Sequence, residues 1–112
     1  MSDARPEFTA AMLNIYRRAL REAGYPAKRF VEMVHEQGGY DAAMQLIHDS
    51  KPSSGYTSLF ELGRLDLTVE ALILGPDWCE STIFTDHDRC AAFNRLRQYN
   101  FRFPHGYWQP EQ

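Results

Sequence analysis

The chain has 112 residues, 44% hydrophobic and 24% charged, with a formal net charge of −3. That is room for one ordinary globular domain with a real core. The length of the core segment's apolar run, Ala71 to Leu74, excludes a membrane span, and two cysteines, Cys79 and Cys90, suggest no disulfide framework. No signal-peptide type stretch follows Met1, so the expectation is a soluble cytoplasmic protein with reduced thiols.

Phe8, Met12, Ile15, Ala19 and Ala23 recur every three or four residues, with Tyr16 and Leu20 beside them, and predict a first helix over Arg5–Ala23. Pro6 suits its first turn and Gly24 its left-handed stop. A second helix is expected over Pro26–Gln37, with Ala27, Phe30, Val31 and Val34 inward, ended by Gly38-Gly39. A third spans Tyr40–His48 and turns Ala43, Met44 and Ile47 inward. Lys51–Gly55 reads as a loop, followed by a helical turn over Ser58–Leu62 that Gly63 stops. A further helix covers Leu67–Leu74, capped by Asp66 and closed by Gly75-Pro76. The last begins after Thr85, with Thr85 and Asp88 at capping-box spacing, and runs to Tyr99, burying Cys90, Phe93, Leu96 and the stem of Arg97. Strand-like alternation is confined to Tyr99, Phe101 and Phe103. The expected fold is all-α, a compact single-domain bundle of five or six helices over residues 1–103 with an aromatic tail over 104–112.

The segment from Ser53 to Pro76 is the most apolar of the chain, yet Glu61, Arg64, Asp66 and Glu70 are threaded through it. Charges inside a core must find partners or reach water. Glu70 stands alone among the apolar residues from Leu67 to Leu74, so Arg64, Asp66 and Glu70 are expected to form a structural ion-pair cluster. Arg64→Met is then expected to destabilise the fold by about 2–4 kcal/mol. The competing role for Glu70 is a carboxyl of raised pKa acting as general acid or base.

Charge is distributed in blocks. Residues 1–29 carry six basic and three acidic residues, residues 30–88 carry Lys51 and Arg64 against eleven acids, and residues 89–112 carry four arginines and Glu111. If the first and last helices lie side by side, Arg17, Arg18, Arg21, Lys28, Arg29, Arg95 and Arg97 make a basic face for nucleic acid, or else a solvated surface. The helix–glycine–helix outline of Ala27–Ile47 resembles a helix-turn-helix, but its second helix has Asp41, Gln45 and Asp49 and no Lys or Arg, which disfavours docking on phosphates.

Asp86, His87 and Cys90 could share a helix face, with Cys79 as a third ligand, but the spacing fits no common zinc pattern; the expectation is no metal and no cofactor. Cys79 as nucleophile is opposed by the neighbouring Glu80. No hydrolase, metalloprotease or nucleotide-binding motif occurs, so no catalytic residue is assigned. The tail concentrates Tyr99, Phe101, Phe103, Tyr107 and Trp108, with Arg102 and His105 among them. It either folds back over the bundle or forms a protein-binding patch centred on Tyr107 and Trp108, with Phe103 and Arg102 beside them.

The residues Gly24-Tyr25, Arg29-Phe30, Gly38-Gly39, Ala42-Ala43, Ser54-Gly55-Tyr56, Leu59, Gly63-Arg64-Leu65-Asp66-Leu67-Thr68-Val69-Glu70, Leu74 and Phe84-Thr85 resemble a small uncharacterised bacterial helical domain family. The resemblance covers residues 8–100 and stops before the tail. Members of that family stand alone or are appended to larger proteins, some of restriction or nuclease type, and no activity is established for it. The resemblance implies an accessory module in bacterial or phage defence or counter-defence. The leading expectation is therefore a non-catalytic interaction module whose partner is another protein, self included, with no membrane role. Nucleic-acid binding through the basic face is the alternative, and an enzyme using Glu70 or Cys79 the weaker one.

Overall fold

A computed structural model describes residues 4–110. The elements in chain order are α1 (Arg5–Ala23), α2 (Lys28–Gln37), α3 (Gly39–His48), α4 (Ser54–Glu61), a 3-10 turn (Leu65–Leu67), α5 (Val69–Leu74) and α6 (Asp86–Gln98). Among the described residues there is no strand. The all-α bundle expected from the helical periodicities is what the chain forms.

Helix α1 runs as its stripe requires, burying Phe8, Met12, Ile15 and Ala19 and stopping at Gly24, whose φ of 66° is left-handed. Ala23 is only half-buried and Leu20 is exposed. Helix α2 starts two residues later than Pro26 and turns Met33 as well as Val34 inward, while Phe30 and Val31 are half-buried. Helix α3 begins at Gly39, and the reason is steric. A Cβ there would lie 2.6 Å from Thr9 Cα, and the Gly39 N–H donates to Thr9 Oγ1 at 2.9 Å. Only glycine lets α3 approach α1 this closely.

Two starts differ from the sequence reading. Helix α4 begins at Ser54, not Ser58, because Ser53 caps it by accepting the Tyr56 N–H at 3.1 Å. Asp66 does not cap α5. Thr68 does, accepting the Ala71 N–H at 3.2 Å while its hydroxyl donates to Leu65 O at 2.7 Å, and the preceding residues form the 3-10 turn. Helix α5 is buried on nearly every side and packs on α6 and α3. Helix α6 has the capping box its sequence signals, Asp88 N–H to Thr85 Oγ1 at 3.1 Å and Thr85 N–H to Asp88 Oδ2 at 2.9 Å. Its buried side is Asp88, Arg89, Ala92 and Leu96, whereas Cys90 and Phe93 are half-buried and Arg97 is exposed.

Residues 101–110 fold back over this core. Phe103 stacks on Phe93 with ring centroids 4.6 Å apart, Trp108 meets Phe93 edge-on at 6.3 Å, and Phe101 contacts Phe103 at 5.0 Å. The Trp108 N–H donates to Leu74 O at 2.8 Å, satisfying a carbonyl at the end of α5. The boundary at residue 103 is therefore not a structural one. Deleting the chain from Pro104 onward is expected to lower the melting temperature and collapse the near-ultraviolet circular dichroism, because Phe93, Phe103 and the α5 carboxyl end lose their cover. An unchanged melt would show the tail to be dispensable.

Candidate functional site

Where α1, α2 and α4 meet, they leave a half-open cavity of about 80 Å3. Ile15, Tyr16 and Ala19 line it from α1, Arg29, Phe30 and Met33 from α2, and Ser53, Ser54, Gly55, Tyr56 and Leu59 from the α4 segment. Tyr25 and Ala27 close one side, and Leu67, Thr68, Val69 and Glu70 lie deeper. The lining is mostly apolar, with a few polar groups, as small binding sites are. At its edge Ser53 caps α4, and Gly55 in the first turn lies against Tyr25.

Glu70, at the bottom, is 4% exposed. Its partner is not Arg64 but Arg95, whose Nη1 lies 3.3 Å from Glu70 Oε2 and also donates to Leu46 O at 2.9 Å, while Nη2 donates to Asp49 O. One guanidinium thus joins α5, α6 and the carboxyl end of α3. Burial pushes the Glu70 carboxyl up, and its own backbone N–H and Arg95 draw it only part of the way back. Tyr56 donates its hydroxyl to Arg95 O at 3.3 Å, and burial raises its pKa in turn.

Arg64 faces outward, because the 3-10 turn carries it to the end of α1. It binds Asp66 in bidentate fashion at 3.0 Å and reaches Glu22 at 2.7 Å. Glu22 also accepts from Arg18 at 2.8 Å, and these two arginines, Arg18 first, hold its carboxyl down at about 2. The cluster expected of Arg64, Asp66 and Glu70 is therefore two clusters. The Arg64 one is solvent-screened, so the stability effect expected of Arg64 belongs to Arg95. Arg95→Met is expected to destabilise the fold by about 3–5 kcal/mol, through the stranded carboxylate and the lost carbonyl bonds, and Arg64→Met to shift the urea midpoint little. Equal midpoints for the two variants would contradict this assignment.

A second link runs from α6 to α3. His48 Nε2 lies 2.7 Å from Asp88 Oδ1, and the His87 ring stacks on His48 at 5.2 Å. Burial alone would raise the Asp88 pKa, but the Thr85 N–H, His48 and the Thr85 hydroxyl outweigh it and the carboxyl sits low. The pH signs of the two buried acids are opposite. A depressed Asp88 contributes stability above its unfolded pKa that is lost as pH falls. A raised Glu70 holds its proton more tightly folded than unfolded, so stability declines as pH rises from the unfolded pKa through the folded one. Relative to wild type, Glu70→Gln is expected to gain stability as pH rises, and Asp88→Asn to lose most above about pH 4. Chemical denaturation across pH checks both slopes.

The remaining sequence candidates separate clearly. Arg17, Arg21, Lys28 and Arg29 are exposed on α1 and α2, Arg97 and Arg102 are exposed as well, and Arg18 is engaged with Glu22. Arg95 leaves the basic face, being one-tenth exposed and fully engaged inside. Tyr107, Trp108 and Phe103 are half-buried and pack against the core. Cys79 Sγ lies 3.9 Å from the carbonyls of Pro76 and Gly106, neither of which is a base. Asp86 binds Arg89 at 3.0 Å, and among the described residues no three His, Cys, Asp or Glu side chains converge as a metal would require. No described helix is long and apolar enough to cross a membrane. No family model, curated protein or solved structure matches the chain.

Proposed function

We propose that the chain is a non-catalytic protein-interaction module that binds through the cavity between α1, α2 and α4. The observation that supports this is the lining itself. Tyr16, Tyr25, Phe30 and Arg29 gather around an open apolar hole, and tyrosine and arginine are the side chains that dominate binding hot spots. Glu70 is tied to Arg95 at its base, which favours a structural carboxyl over a catalytic one. A setting in bacterial or phage defence belongs to this proposal through the Gly63–Glu70 resemblance alone. The exposed Arg17, Arg21, Lys28 and Arg29 favour a second reading, nucleic-acid binding.

Affinity capture with three baits tests the module: wild type, Ala27→Leu, which fills the cavity, and Arg29→Glu. The expected result is one protein retained by wild type and lost from both variants, with all three baits melting alike. Retention unchanged by either substitution would sink the reading. Nucleic acid captured instead, with steep loss on adding salt, would favour the second reading, since phosphate contacts release counterions and apolar contacts do not.

A further inference from the structure

We propose that the cavity receives the carboxyl-terminal residue of a partner protein, an aliphatic one, with its side chain in the apolar hole and its free carboxylate at the mouth, between Arg29 and the amino end of α4. This rests on the module reading and names the part of the partner that binds.

The walls decide the shape of the occupant. Ala19, Ala27, Met33 and Leu59 are buried, and of all the lining residues only Arg29 and Ser54 are exposed. These two mark the mouth. The cavity is therefore a hole with a polar rim rather than a through-going groove, and a chain enters a hole by its end. A volume of about 80 Å3 is roughly half the 150 Å3 hole that accepts benzene, which suits one aliphatic side chain rather than a ring. A terminal residue carries its carboxylate one carbon from that side chain, so a single residue fills the hole and reaches the rim.

Charge at the rim selects an anion. The Arg29 side chain is 69% exposed, and its pair with Glu32, at 3.7 Å, is too long for a hydrogen bond, so the guanidinium has donors to offer. Helix α4 adds a second positive source. Tyr56 and Thr57 donate their N–H groups to Ser53, whereas those of Ser54 and Gly55 have no acceptor among the described residues. The Tyr25 hydroxyl lies beside Gly55, 3.6 Å from where a Cβ would stand, and is a further donor. Glu70, the one acid in the lining, sits at the base and is paired with Arg95. An apolar hole below a cationic, N–H-rich rim is complementary to an aliphatic chain end.

Nuclear magnetic resonance titration of the full isotope-labelled chain with the peptide Gly-Gly-Ser-Leu, as free acid and as amide, to millimolar concentration tests this. The expected result is a saturable shift of the Ser54 and Gly55 amide signals by the acid. The amide should bind at least about tenfold more weakly, the worth of a hydrogen bond to a charged group. Gly-Gly-Ser-Phe acid should bind more weakly than the leucine acid. Arg29→Gln, at an exposed position, should narrow the gap between acid and amide, and Ala27→Leu should abolish binding of both. Circular dichroism checks that each variant folds, and the acid–amide contrast on the wild-type chain stands without them. Equal affinity for acid and amide overturns the proposal, as does the absence of a saturable shift, or equal binding of an amidated Gly-Leu-Asp-Gly, whose carboxylate is internal. A partner captured by the wild-type bait and lost from Ala27→Leu, with no response to the peptide acid, would strike this proposal and leave the module reading standing.

Discussion

The guanidinium of Arg95 is the interaction on which the packing of this bundle depends. A buried carboxylate on a six-residue helix would be untenable alone, and α3 ends with carbonyls that its own turns cannot satisfy. Arg95 meets both needs at once, from one position on α6. Seven residues earlier, and so on the same side of α6, Asp88 holds the His48 side chain. Helix α6 grips the end of α3 at two levels, and α5 is clasped between them. The apolar core gives the bundle its energy, while these two contacts fix which helix ends meet.

The charges sort by depth. Arg64, Asp66, Glu22 and Arg18 form a network on the outside, where water screens each pair. Glu70 and Arg95 sit inside, where an unpaired partner is heavily penalised. The cavity lies above the second pair, so a molecule seated there would rest on a floor held rigid by three helices. That rigidity suits a recognition surface, because less side-chain freedom is lost on binding.

Helices with a long apolar stripe were legible from the sequence. Helix α1 needed no more than its three-and-four spacing, Pro6 and Gly24, and the Thr85–Asp88 box announced α6 by local hydrogen bonding. Where tertiary contact decides, the reading failed. Gly55 looked like a loop residue but belongs to α4, which packs against Tyr25. Asp66 looked like a cap, yet Arg64 occupies it and Thr68 takes its place. Arg95 was counted with the surface cations, although its spacing from Asp88 and Ala92 puts it on the buried side of α6. That spacing was a usable signal. The cavity had none, since its walls come from four separate stretches of chain.

Helix α5 is six residues long, too short to hold its shape in water, and its surroundings come from both ends of the chain. Phe8 lies in the same core as α5, and Trp108 supplies the N–H that closes its last turn. A hundred residues separate those two positions. On a ribosome, then, α5 can meet α1 and α3 as soon as it emerges, but its other neighbours, α6 and Trp108, come only with the last third of the residues. The Ser53–Pro76 segment is thus covered in two stages, first by the helices before it and then by those after it.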